Sequence, residues 1–183
     1  MAIGALFDGS LRCGFTPLFF FMMIRIGIGT DLHRMTEGRP LVLGGIQIPY
    51  HAGPLGHSDG DVLIHALCDA LLGAMALQDI GYHFPDTDPA YRNADSRLLL
   101  QEVMGMMHEK GWQPVNVDAT VHLERPKLRP FIDEIRTSLA SVTGMAVDEI
   151  SVKAKTGEQT GPVGEGAAIE AVVVCLIQRV SVD

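Results

Sequence analysis

The sequence predicts an α/β sandwich: a mixed sheet with helices on one face. Segments that alternate apolar and polar residues at period two are interspersed with segments carrying an apolar stripe at helical spacing. The length, 183 residues, suits one compact domain and is too short for two ordinary ones. From residue 24 onward no linker or low-complexity stretch divides the chain.

Residues 24–29 (IRIGIG) alternate and read as a strand that ends there. Residues 41–43 and 46–48, split by Gly44-Gly45, read as a short hairpin. Residues 61–77 place apolar side chains at 62, 63, 66, 67, 70, 71 and 74, the stripe of a buried helix face. Gly81, Pro85 and Pro89 make 78–94 a loop. A second helix over 96–110 stops at Gly111, which suits a left-handed C-terminal position. Residues 115–123 alternate as a strand, and 130–142 form a third helix with Pro130 tolerated in its first turn. Strands over 150–154 and 169–177 close the chain.

Composition narrows the function. A net charge of −8 and a pI near 5.3 argue against a nucleic-acid binder, which needs a basic stripe. Cys13, Cys68 and Cys175 form no CxxC pair, so no disulfide framework or cysteine zinc site is expected. They read as reduced thiols in a cytoplasmic protein. The apolar run at 18–28 is broken by Arg25 and is too short to span a bilayer. Residues 1–22 lack the pattern of a secretory signal and contain Asp8, unlike a transit peptide. They are expected to be an extension that contributes nothing to the chemistry, ahead of a single domain over 23–183. A plastid-type compartment applies only if that extension belongs to a transit peptide.

The candidate chemistry begins at Asp31-Leu32-His33, where two ligand types lie at i and i+2 and so share one side of an extended segment. The bland reading is a carboxylate bonded to a surface imidazole. In His57-Ser58-Asp59-Gly60-Asp61, Ser58 and Asp61 have capping-box spacing, so a helix starting at Ser58 is expected to direct free N–H groups outward beside His57. Asp61, His65 and Asp69 then share a helix face. His65 alone reads as a hydrogen-bonded core histidine. With Asp31 and His33 it makes an Asp-His-His set with a fourth position open, the arrangement of a catalytic zinc. Residues 84–89 (FPDTDP) form a rigid acidic loop, explicable by turn chemistry alone. Residues 153–158 (KAKTGE) lead into a glycine-rich stretch whose amides and hydroxyl suit phosphates, while Glu158 suits a hard cation. No Walker motif is present, which removes an ATPase reading.

These motifs occur in one order over residues 24–178: D-x-H, GHSDGDxxxHA, DIGxxFPDTDP, NADSR, RPKLxP and VKAKTxE. In that combination the chain resembles the 2-C-methyl-D-erythritol 2,4-cyclodiphosphate synthase family of the non-mevalonate isoprenoid pathway. The resemblance implies a phosphorus-oxygen lyase that cyclises 4-diphosphocytidyl-2-C-methyl-D-erythritol 2-phosphate and releases CMP. It implies zinc held by Asp31, His33 and His65, and a second divalent ion, magnesium or manganese, at Glu158. It places His57 and Thr156 as transition-state stabilisers, with Ser58, Asp31 and His33 also near substrate. Asp79, Ile80 and Gly81 match the segment that holds substrate. Phe84, Pro85, Asp86, Thr87 and Asp88 match a loop over the methylerythritol end. Leu123, Pro126, Lys127, Leu128 and Arg129 match the cytidine side, and Lys155, Thr156, Gly157 and Glu158 the diphosphate side.

The family fold assembles as a homotrimer with active sites at subunit interfaces and, in some members, an isoprenoid or anion in the central channel. Val163 stands before Gly164-Glu165-Gly166 where the family often has arginine. Two other readings stand beside this one: a zinc phosphodiesterase on the same open site, and a non-enzymatic trimer binding an apolar isoprenoid. The first would yield a linear product with CMP, the second no CMP at all.

Overall fold

The computed structural model describes residues 23–91 and 94–180. The expected N-terminal extension, residues 1–22, and Cys13 within it lie outside the described residues.

In chain order the elements are β1 (Ile24–Glu37), β2 (Leu41–Leu43), β3 (Ile46–Ile48), β4 (Ala52–Pro54), α1 (Val62–Ala74), α2 (Ile80–His83), α3 (Ser96–Glu109), β5 (Trp112–His122), α4 (Ile132–Thr143), β6 (Ile150–Lys155), α5 (Gly161–Gly164) and β7 (Ala168–Arg179). Five strands form one sheet in the order β4-β1-β7-β5-β6, and β2 pairs with β3 as the expected hairpin. Only β5 and β6 run parallel; the other neighbours are antiparallel, so the sheet is mixed as predicted.

Helices cover one face. α1 packs on β1 and β7, α4 on β6, and α3 fills between α1 and α4. Their apolar stripes meet the inward residues of the sheet, among them Val117, Ala119, Val121, Ala171, Val173 and Ile177, all at most 2% exposed. The contact between α1 and β1 is unusually close. A Cβ on Gly27 would lie 1.9 Å from the Ala70 carbonyl oxygen, and one on Gly29 would lie 2.0 Å from that of Ala66. Helix and strand backbones therefore touch, which only glycine permits. Arg25 donates to the Ala74 carbonyl at the end of α1, where a cation meets the negative pole of the helix, and its guanidinium lies over the Trp112 ring.

Among the described residues the opposite face of the sheet carries no helix, and several of its β1 and β7 residues are apolar and exposed. Ile26 is 74% exposed, Ile28 66% and Leu32 62%. Among the described residues no helix is long and apolar enough to cross a membrane. Cys68 and Cys175 are buried free thiols, and burial pushes both pKa values up, that of Cys175 to about 11.

Several boundaries differ from the sequence reading. β1 does not end at Gly29 but runs on to Glu37, so Asp31 and His33 lie inside it rather than beyond its end. The hydrophobic alternation stops at residue 29 because Thr30 follows Ile24, Ile26 and Ile28 on the exposed side of the strand and Asp31 takes the next inward position. Helix α1 does not begin at Ser58. Its N-cap is Asp61, whose carboxylate accepts from the N–H groups of Leu63 and Ile64, so the expected free anion-binding terminus is already capped. The loop at 78–94 contains α2 and a 3₁₀ turn at Pro89–Tyr91. The predicted third helix opens with a 3₁₀ turn at Arg129–Phe131 before α4 begins, and the glycine-rich stretch contains α5.

Candidate metal centre and adjoining clefts

The close approach of α1 to β1 brings His65 across to Asp31 and His33, two alternate residues on the inward side of β1. The Asp31, His33 and His65 donor atoms all lie within 4.8 Å of one another, and this is the one such group of three among the described residues. Nδ1 of His65 is 2.9 Å from Asp31 Oδ2, and Nδ1 of His33 is 3.2 Å from the same oxygen. His33 Nδ1 is buried and has no hydrogen-bond partner. One carboxylate oxygen and two ring nitrogens converging on one point fit a cation, and an N₂O donor set with an open side suits catalytic zinc.

Electrostatics agree with that reading. Burial alone would raise the Asp31 pKa, but the adjacent His33 ring, the hydrogen bond from His65 and the charges of both lower it to about 2. Burial alone would lower the His65 pKa, yet the bond to Asp31, its charge and those of Asp61 and Asp59 raise it. The pocket is built to keep a positive charge beside Asp31.

The three acidic and basic residues expected on one face of α1 have separate tasks. Asp61, fully buried, caps the helix and accepts from the Gly45 N–H at 2.7 Å, tying the β2–β3 turn to it. Its pKa is raised, chiefly by burial. Asp69 accepts from the Ile80 N–H and so fixes the start of α2; burial raises its pKa also. His65 alone of the three reaches the metal group.

Beside that group lies a cleft of about 230 Å³ lined by His33, His57, Ser58, His65, Ile80 and Gly81. Phe84 and Asp86 continue its wall, together with Tyr91 and Leu99, which sequence reasoning did not single out. Asp79 caps α2 by accepting from the Tyr82 N–H, and Pro85, Thr87 and Asp88 belong to the same loop as Phe84 and Asp86 but are not among the residues lining the cleft. Phe84 is buried edge-on against Tyr91, which anchors the loop.

A second cleft, about 560 Å³, is lined by Leu123, Lys127, Leu128, Arg129, Ala154, Lys155, Thr156 and Glu158. Pro126 follows a cis peptide bond from Arg125, and the Gly157 N–H donates to Glu124, so the two loops that form this cleft are tied together. The Thr156 hydroxyl donates to Glu158, whose backbone is left-handed at φ 50°. Three cations, Lys127, Arg129 and Lys155, collect here in a chain of net charge −8.

The chain thus does not gather its expected site residues into one place. The metal group sits on β1, whereas Lys155 ends β6, with β7 and β5 between. Three strand steps put these strands about 14 Å apart. His57 and Thr156, expected to act together, line different clefts.

A model of the YgbB family matches residues 24–178 of this sequence. The sequence is 53% identical over 157 residues to the 2-C-methyl-D-erythritol 2,4-cyclodiphosphate synthase of Chloroherpeton thalassium, covering 86% of this chain and 100% of that protein. To the synthase of the same name from Chromobacterium violaceum it is 54% identical, covering 86% and 99%. A solved 2C-methyl-D-erythritol-2,4-cyclodiphosphate synthase in a CDP-bound form superposes with a TM-score of 0.78 at 41% identity, over 84% of this chain and 99% of that one. The Plasmodium falciparum IspF CDP complex gives 0.77 at 33% identity, over 86% and 97%.

Proposed function

This chain belongs to the YgbB family, and from that premise we propose that it is a 2-C-methyl-D-erythritol 2,4-cyclodiphosphate synthase, residues 23–183 forming the synthase domain. The substrate carries a 2-phosphate and a cytidine diphosphate on one sugar alcohol. An oxygen of the 2-phosphate attacks the β-phosphorus, the bond from that phosphorus to the bridging oxygen breaks, and CMP leaves with the electron pair. The observation that carries the reading is the convergence of Asp31, His33 and His65 on one cation position, in a chain about half identical to such synthases.

Attack of one anion on another is slow through repulsion and misorientation, and the residues present address both. Zinc held by Asp31, His33 and His65, with magnesium or manganese at Glu158, would supply Lewis-acid neutralisation of phosphate oxygens. His57 and Ser58 lie beside the metal group to bind phosphate, and Lys155, Thr156 and Gly157 present a cation, a hydroxyl and an amide to the diphosphate. Asp79, Ile80 and Gly81 hold the sugar alcohol, and the loop of Phe84, Pro85, Asp86, Thr87 and Asp88 closes over it. Leu123, Pro126, Lys127, Leu128 and Arg129 take the cytidine side. The nucleophile is already ionised, so no strong general base is required of His57.

The separation of the two clefts supports a site assembled from neighbouring copies, the metal cleft of one facing the Lys155–Glu158 cleft of the next. The exposed apolar face of the sheet supports burial in such a homotrimer. The test is CMP release from the purified protein. Release is expected only with zinc and a second divalent ion present, and His65→Ala is expected to remove zinc and turnover together. Full zinc occupancy in that variant, or CMP release without metal, overturns the assignment.

A further inference from the structure

His65 has two ring nitrogens, and the metal position uses only Nδ1. Nε2 points away from Asp31 and lies 2.9 Å from Ser96 Oγ and 3.1 Å from Ser58 Oγ. Ser96 is the first residue of α3 and is fully buried. Its hydroxyl donates to Asp59 Oδ1 at 2.5 Å, and its backbone N–H donates to Asp59 Oδ2 at 3.0 Å. Asp59 also accepts from the Asp61 N–H, and its own N–H donates to the Ala94 carbonyl. The carboxylate is thereby held on both oxygens.

A hydroxyl has one proton. With that of Ser96 committed to the Asp59 carboxylate, only lone pairs of its Oγ face His65, so a proton on Nε2 is what satisfies this nearer, 2.9 Å contact. In the neutral ring that binds a metal, Nδ1 is then left as the lone pair, directed at the position where Asp31 and His33 converge. Metal-bound histidines commonly owe their tautomer and ring orientation to a partner on the other nitrogen. Here the partner is a two-residue relay from the loop before α1 and the start of α3, distant in sequence.

We propose that Ser96 and Asp59 are positioning residues that lock His65 in its Nε2-protonated tautomer and thereby set zinc affinity. The proposal rests on the metal assignment above. It adds that the loop at 57–61 and the start of α3 have a role in metal retention distinct from substrate contact, and that Ser96 matters more than Ser58, which lies farther from Nε2.

The test measures zinc affinity by competition with a chelator in wild-type protein, Ser96→Ala, Asp59→Asn and Ser58→Ala, with thermal unfolding of each zinc-free form beside it. Ser96→Ala is expected to weaken zinc binding by about 10–100-fold, the range for partners of metal ligands, and Asp59→Asn to weaken it in the same direction. In zinc-loaded protein the Nε2–H proton signal of His65 is expected to be slowly exchanging, and to be lost to exchange in Ser96→Ala. Should Ser96→Ala not fold, Asp59→Asn carries the same comparison. Unchanged zinc affinity in the folded variants overturns the relay, as does a larger loss in Ser58→Ala. Failure of the wild-type protein to bind zinc overturns the metal assignment instead.

Discussion

A side-chain carbon on Gly29 would stand 2.0 Å from the carbonyl oxygen of Ala66. That contact lies one residue from His65 and two from Asp31, so the absence of a side chain on β1 sets how near the two ligands come. Gly29→Ala forces α1 off the strand, since a backbone oxygen cannot rotate aside. The expected cost is at the upper end of ~1–3 kcal/mol, with zinc affinity falling alongside stability. Denaturant melts of the zinc-free variant, paired with metal titration, check both; stability and zinc affinity equal to wild type would contradict the packing account.

The Asp31–His65 pair makes zinc-free stability depend on pH. His65 has a raised folded pKa, so its contribution is fully present below its unfolded value of 6.5 and is lost as pH rises through the folded value. Asp31 has its pKa lowered from 3.8 to about 2, so its contribution is present above 3.8 and is lost as pH falls toward 2. The pair therefore stabilises most between about pH 4 and 6.5. The stability advantage of the wild-type protein over Asp31→Asn is predicted to be larger near pH 5.5 than near pH 9, by chemical denaturation with zinc removed. An advantage that grows with pH would show the pair is not ionic.

Thr156→Val removes the hydroxyl that donates to Glu158 in the Lys155–Glu158 cleft while keeping the side-chain shape. If the hydroxyl serves the transition state, turnover falls by about 100-fold, the scale of losing one such donor, while CMP affinity stays within a few-fold. Steady-state kinetics and CMP titration separate the two. A large loss of CMP affinity would instead make Thr156 a ground-state contact.

Sites shared between copies can be tested by mixing two impaired chains. Co-expressed His65→Ala and Thr156→Val chains, assembled at random around a head-to-tail ring, regain roughly a quarter of intact sites. Activity well above the sum of the parents is predicted. Activity equal to that sum would place each site within one chain.

Much of this was legible in the sequence where a pattern was local. The β2–β3 hairpin, the apolar stripe of α1, the stop of α3 at Gly111 and the Asp-x-His pair all depend on residues a few positions apart. The alternation of β1 is legible only to Gly29 because Thr30 breaks the run of isoleucines on its exposed side, while Asp31 and His33 continue an inward side that carries Gly27 and Gly29 rather than apolar side chains. The Ser58–Asp61 spacing fits a capping box and points to Ser58 as the helix cap, yet Asp61 reaches the α1 amides and Gly45 at once. Strand β4 and helix α2 are too short to carry a period, and exist through pairing with β1 and through the Asp69–Ile80 bond. Ser96 and Asp59 are 37 residues apart and meet only in the fold. Net charge bears on nucleic acid but not on a small anion, because Lys127, Arg129 and Lys155 are concentrated in one cleft.

The most direct test of the central reading is the phosphorus spectrum of the product formed from 4-diphosphocytidyl-2-C-methyl-D-erythritol 2-phosphate. The account predicts two mutually coupled phosphorus signals of a cyclic diphosphate, in equal amount with CMP. A linear product released with CMP would contradict cyclisation and make the same metal site that of a phosphodiesterase.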